Sequence, residues 1–118
     1  MKEQLLLVEE FHRKYQNLVS DSPTALPDSR FEFRYRLMAE EVDEYLKAAQ
    51  DQDLAGIAKE LSDILYTVYG TIIEHGLQKK IDQVFKEVHR SNMSKDIGPD
   101  KAIKGSSYFE PRLRDILD

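Results

Sequence analysis

Apolar residues recur at helical spacing in four stretches of the chain, and polar or Gly- and Pro-containing segments separate these stretches. The stretches are residues 2–19, the segment between the loop 20–28 and the turn 50–53, residues from about 53 to 75, and residues from about 78 to 92. Residues 96–111 are too rich in Gly, Pro and Ser to continue a helix, and a short helix is predicted at 112–117. The pattern therefore predicts an all-α protein, an antiparallel helical bundle of four main helices with an irregular C-terminal tail.

The third predicted helix is apolar over most of its circumference. Such a helix is normally buried, yet a chain of 118 residues has few elements to cover it. We therefore expect a single domain, residues 1–118, whose bundle is completed by oligomerisation into a homodimer or homotetramer.

Two pairs of acids lie next to the apolar stripes of the second and third helices. Glu41 and Glu44 fall within the stripe of the second helix, and Glu60 and Asp63 lie beside the stripe of the third. Glu40 lies on the border of the stripe. A solvated charge face would place the acids opposite the stripe, so this pattern favours a buried acidic site.

The turn at 50–53 brings the two pairs together. Glu44 and Glu60 are each about 8 residues from its middle, and Glu41 and Asp63 about 11, so an antiparallel hairpin places the pairs at matching heights. Converging carboxylates repel one another and are costly to desolvate unless a cation neutralises them. Oxygen ligands without His or Cys suit Mg²⁺, with Mn²⁺ as a possible substitute.

The spacing of these acids resembles the signature of the MazG-like and phosphoribosyl-ATP pyrophosphohydrolase-like superfamily of all-α nucleoside triphosphate pyrophosphohydrolases. The resemblance is carried by Glu41-x-x-Glu44, fifteen intervening residues, and Glu60-x-x-Asp63. The tail segments 91–95 and 104–111 also resemble one MazG-like branch. The resemblance implies Mg²⁺-dependent cleavage of the α–β phosphoanhydride of a nucleoside triphosphate to a monophosphate and pyrophosphate, with the four acids as metal ligands.

Cations that could contact a phosphorylated substrate flank the acidic site in sequence. Arg36, one of three arginines just before the acids, is a candidate phosphate contact, although surface pairing with nearby glutamates is equally open. Asn92 and Lys95 share a helix face, and Lys104 and Tyr108 follow in the tail, where Tyr108 could instead fasten the loop. Glu40 is a candidate general base or orienting residue, with plain exposure as the alternative.

Composition limits the other partners. The net charge of −5 argues against nucleic acid, and the absence of cysteine excludes disulfides and thiolate chemistry. No segment is apolar enough for a signal peptide or a membrane span, so we expect a cytoplasmic protein without a membrane partner.

Two other classes of protein compete with the hydrolase. A di-iron carboxylate bundle requires Glu-x-x-His pairs, which these acids do not form. A non-catalytic helical dimer, an interaction module with a structural divalent-metal site, stays open because it would keep the same acids without turnover.

Overall fold

The computed structural model describes residues 1–118, which form five helices and a single β-bridge between Asp96 and Ile103. The helices are α1 (Lys2–Lys14), α2 (Asp28–Gln50), α3 (Leu54–Glu74), α4 (Ile81–Asn92) and α5 (Arg114–Leu117). The chain groups into two compact units, Met1–Leu77 and Gln78–Asp118. The predicted all-α class, with four main helices and an irregular tail, is confirmed.

Helix α1 packs on α3 and is shorter than the 2–19 that the apolar spacing predicts. It stops at Lys14 because Gln16 adopts a left-handed conformation with a φ of 58°. The backbone amide of Asn17 then donates to the carbonyl of His12 at 2.7 Å. The chain thereby turns back, and Val8 and Leu5, 2% and 7% exposed, anchor the helix in the core.

A tight turn joins α2 to α3 as an antiparallel hairpin. Gln52 takes a left-handed φ of 53°, and Asp53 caps α3 by accepting a hydrogen bond from the backbone amide of Gly56 at 3.1 Å. An N-cap aspartate satisfies one of the helix's free amides and is favoured by the positive end of the helix dipole. The turn therefore fixes where α3 begins, as the sequence predicts.

The C-terminal end of α3 is held by the loop that follows α1. The backbone amide of Thr24 donates to the carbonyl of His75 at 2.9 Å, and the hydroxyl of Ser20 donates to the carbonyl of Glu74 at 2.7 Å. Gly76 has a φ of 68°, and a Cβ there would overlap the carbonyl of Ser22. Glycine is therefore required at this position both for its backbone conformation and for space.

A fully buried glutamate lies next to the apolar core of this first unit. Glu74 and its neighbour Ile73 are both 0% exposed. The Glu74 carboxylate accepts hydrogen bonds from Arg30 at 2.5 and 2.8 Å and from Arg34 at 3.0 Å, and the ring of His12 lies 3.8 Å away. Arg34 is itself 4% exposed. These side chains form a charge cluster that joins all three helices of the unit.

In the second unit, the tail folds back along α4. Ser91, 2% exposed, donates its hydroxyl to the carbonyl of Phe109 at 2.7 Å, and the guanidinium of Arg90 lies 4.4 Å from the centre of the Phe109 ring. Glu87 accepts a hydrogen bond from the backbone amide of Arg112 at 2.7 Å. The irregular tail is thus attached to α4 by side chain-to-backbone bonds.

Large apolar side chains remain exposed on α1 and α3. Leu7 and Leu65 are 55% and 52% exposed, and together with Tyr66 they line a groove of about 190 Å³ between the two helices. No helix has the combination of length and apolar character that crossing a membrane demands.

Candidate active site

Three of the four predicted metal ligands converge on the α2–α3 hairpin. Glu41 of α2 and Glu60 and Asp63 of α3 each offer a carboxylate oxygen, and these oxygens lie within 4.8 Å of one another. Helical spacing puts Glu60 and Asp63 on one face of α3, and the antiparallel pairing with α2 brings Glu41 opposite them. A cation at the centre of such a group can be held by all three side chains.

The triad of Glu41, Glu60 and Asp63 is partly withdrawn from solvent. Glu60 is 9% exposed, and Glu41 and Asp63 are half-buried. The Oε2 atoms of Glu41 and Glu60 are buried, and no backbone N–H, side-chain N–H or hydroxyl donates to them. Buried carboxylate oxygens without a partner are costly, so an all-oxygen donor set with two such atoms fits a divalent cation such as Mg²⁺ or Mn²⁺.

Burial and the neighbouring acids both act on Glu41. Burial raises the pKa of the Glu41 carboxyl, and the charges of Glu44, Asp63 and Glu60 raise it further. The fold thus places the Glu41 carboxyl in a partly buried position near three other acids. A bound cation would reverse the effect, since an opposite charge favours the ionised form.

Glu44, the fourth predicted ligand, is exposed and lies outside the triad. Its charge nevertheless acts on Glu41. It is close enough to belong to the same electrostatic site, and its role as a fourth ligand stays a prediction.

Lys59 is a residue of the site that sequence reasoning missed. Its ammonium lies 2.8 Å from Oδ2 of Asp63 and 3.4 Å from Oε1 of Glu60. The hydrogen bond to Asp63, followed by the one to Glu60, raises the pKa of Lys59. The signal was present in the sequence, because Lys59 and Asp63 stand in the i, i+4 relation that brings side chains together on a helix.

The structure separates the three arginines that precede the acids. Arg30 and Arg34 are engaged by Glu74, whereas Arg36 is exposed. Glu40 is also exposed. Of the three arginines, Arg36 is therefore the one left accessible to a substrate, and its role and that of Glu40 stay predictions.

The remaining predicted contacts lie in the second unit. Asn92 and Lys95 line a cavity of about 430 Å³ together with Lys101. Lys104 and Tyr108 lie outside that lining and pair with each other, the ammonium 5.1 Å from the centre of the ring. The predicted contacts of this unit thus fall into two groups, a cavity lined by two lysines and two aspartates and a cation–aromatic pair on the tail.

The fold and the triad together define an all-α protein with a candidate site for a divalent cation. The chain belongs to the phosphoribosyl-ATP pyrophosphohydrolase family, whose model matches residues 8–92, and thereby to the MazG-like superfamily of all-α nucleoside triphosphate pyrophosphohydrolases. The match spans α1 to α4 and includes the whole triad. Membership indicates a hydrolase that acts on a nucleotide phosphoanhydride, in a family that typically depends on a divalent metal. No curated protein gave a significant match to the chain.

Proposed function

We propose that the protein is a Mg²⁺-dependent nucleoside triphosphate pyrophosphohydrolase that cleaves the α–β phosphoanhydride and releases a nucleoside monophosphate and pyrophosphate. The observation that carries the proposal is the triad on the α2–α3 hairpin, with buried and unpartnered oxygens on Glu41 and Glu60. Family membership supplies the reaction class. Mg²⁺ is the proposed cofactor and Mn²⁺ its substitute, because the ligand set consists of carboxylates only.

Each acid has a role that follows from its position. Glu41, Glu60 and Asp63 hold the cation, and Glu44 completes the set from the exposed edge of α2. When bound, the cation polarises phosphoryl oxygens and lowers the pKa of an attacking water. Glu40, exposed next to Glu41, is the proposed residue that orients that water or accepts its proton.

Cationic and polar side chains of each unit are proposed substrate contacts. Arg36, accessible on α2, and Lys95 and Lys104 of the second unit offer positive charge to the triphosphate. Asn92 contributes an amide that suits hydrogen bonds to a phosphate or a base. Tyr108 offers an aromatic face for the base, with its ring already paired with Lys104.

Association of subunits is part of the proposal. The exposed leucines and tyrosine of the α1–α3 groove are an apolar surface that a second copy would cover, giving a homodimer or homotetramer. The protein would act in the cytoplasm on small-molecule nucleotides, without nucleic acid or membrane as a partner. The same groove favours the alternative function, a non-catalytic interaction module in which the triad holds a structural metal ion.

The decisive experiment incubates the protein with Mg²⁺ and a panel of nucleoside triphosphates that also includes phosphoribosyl-ATP, and then identifies the nucleotide products. Glu41→Gln is the inactive variant, and Asp82→Asn, which removes an exposed acid on α4, is the matched control for loss of one negative charge. Monophosphate and pyrophosphate from the wild type and the control alone would support the proposal. Diphosphate and phosphate would refute the choice of bond, and metal binding without turnover on any substrate would favour the interaction module.

A further inference from the structure

The ammonium of Lys59 rests on two of the three triad carboxylates. It lies 2.8 Å from Oδ2 of Asp63 and 3.4 Å from Oε1 of Glu60. A positive charge therefore already neutralises part of the acidic group where a divalent cation would bind.

Lys59 contacts the acids through its charged ammonium, while its side chain is mostly exposed to solvent. Its side chain is 68% exposed, whereas the Glu60 side chain beneath it is 12% exposed. A lysine ammonium on a flexible four-carbon stem can move away from its partners without disturbing the helix packing. The carboxylates stay in place when it leaves, because α2 and α3 position them.

We propose that Lys59 is a built-in cation that competes with the divalent metal for Glu60 and Asp63 and so sets the metal concentration at which the site fills. The inference rests on the metal site put forward under Proposed function. It adds to that site a residue that opposes binding of the metal ion, whereas the carboxylate ligands favour binding.

The expected size of the effect follows from the two ion pairs. A metal ion must displace the ammonium or bind beside it, and in both cases it loses attraction that the bare carboxylates would offer. Each exposed lysine–carboxylate pair changes an equilibrium by a factor of roughly 1.5 to 5. Two additive pairs therefore allow about two- to 25-fold tighter metal binding once the ammonium is removed, and we expect the middle of that range, about three- to tenfold.

The test is calorimetric titration of Mn²⁺, and then Mg²⁺, into the full chain without nucleotide. Lys59→Gln removes the charge, and Lys59→Arg keeps it. Lys86→Gln is the matched control, because Lys86 is 77% exposed and makes an i, i+4 ion pair with Asp82 at 3.0 Å, like that of Lys59 with Asp63. We expect about three- to tenfold tighter binding for Lys59→Gln alone, with Lys59→Arg and Lys86→Gln within about twofold of the wild type.

Each other outcome is informative. Unchanged or weaker binding by Lys59→Gln, or equal tightening by Lys86→Gln, would overturn the competition. A wild type that binds no divalent metal would overturn the metal site itself, which distinguishes failure of the proposed function from failure of this inference.

A second measurement uses thermal stability in place of a binding titration. In the presence of a chelator, Lys59→Gln should melt at a lower temperature than the wild type, because Glu60 and Asp63 lose their ion pairs with Lys59. Saturating Mn²⁺ should then raise its melting temperature by more than it raises that of the wild type. A melting temperature in chelator that does not fall would show that Lys59 does not neutralise the site.

Discussion

Replacement of Glu74 by glutamine should strongly destabilise the protein. The carboxylate is 0% exposed and accepts three charge-assisted hydrogen bonds, two from Arg30 and one from Arg34. Glutamine has nearly the same shape but carries no charge, and its amide nitrogen cannot accept a hydrogen bond from a guanidinium. The substitution therefore leaves two positive charges without their common counter-ion.

The cost depends on which arginine can recover solvent. The Arg30 side chain is 31% exposed and can turn outward, whereas that of Arg34 is 5% exposed and is also held by Thr71 and by the carbonyl of Thr67. Breaking a buried pair by removing one partner typically costs about 3–5 kcal/mol. Because one of the two arginines can rehydrate, we expect Glu74→Gln to lower the free energy of unfolding by about 3 kcal/mol, at the lower end of that range.

Urea unfolding followed by far-UV circular dichroism measures this loss, since the signal comes from the helices. Asp82→Asn is the control, because it removes a carboxylate whose ion pair is exposed and should change stability little. The double variant Arg34→Met with Glu74→Gln should lose less than the sum of the single variants, because each single change leaves the other charge buried. A Glu74→Gln protein within about 1 kcal/mol of the wild type would refute the reasoning.

Three further predictions concern single positions. Glu41→Gln should raise the melting temperature in the presence of a chelator, because it removes a charge whose burial and repulsion by neighbouring acids raise the pKa of Glu41, and should reduce the stabilisation by Mg²⁺; a lower melting temperature in chelator would contradict this. Gly70→Ala should cost about 1–2 kcal/mol in urea unfolding even though alanine favours helices, because its Cβ would lie 2.5 Å from Nη2 of Arg34; a gain in stability would show that Arg34 shifts freely. The hydrogen bonds from Arg90 and the amide of Arg112 hold the pKa of Glu87 at about 2, so the anchoring of the tail is present above the ordinary carboxyl range and is lost only as the pH falls toward 2. The amide signal of Arg112 in NMR spectra should therefore stay constant from pH 7 down to about pH 4, and a titration midpoint near 4.5 would contradict it.

The triad was within reach of sequence reasoning because each step is local. Glu60 and Asp63 share a helix face by spacing alone, and the polar turn at 50–53 predicts that α2 folds back on α3. Counting residues from the turn then places Glu41 at the height of Asp63. The structure confirms the hairpin and brings Glu41, Glu60 and Asp63 together.

The charge cluster around Glu74 was out of reach for the opposite reason. Arg34 and Glu74 are 40 positions apart and belong to different helices, and no periodicity within either helix indicates that they meet. The sequence pattern left His12 without a role, although it lies buried beside Glu74. The end of α1 was likewise mispredicted, because the apolar spacing continues past the point at which Gln16 turns the chain.

The buried carboxylates near the two ends of the α2–α3 hairpin differ in how completely they are hydrogen-bonded, and the contrast supports the proposed metal site. At one end, the chain supplies Glu74 with guanidinium donors for both of its oxygens. At the other end, Glu41 and Glu60 each keep a buried oxygen that accepts no hydrogen bond from an N–H or hydroxyl, and the nearby cation, Lys59, is exposed. The most deeply buried carboxylate of the chain, Glu74, is thus fully paired, whereas the triad carboxylates are not. Incompletely neutralised acids that lie close together are what the proposed metal site requires, because a cation from solution would supply the missing positive charge.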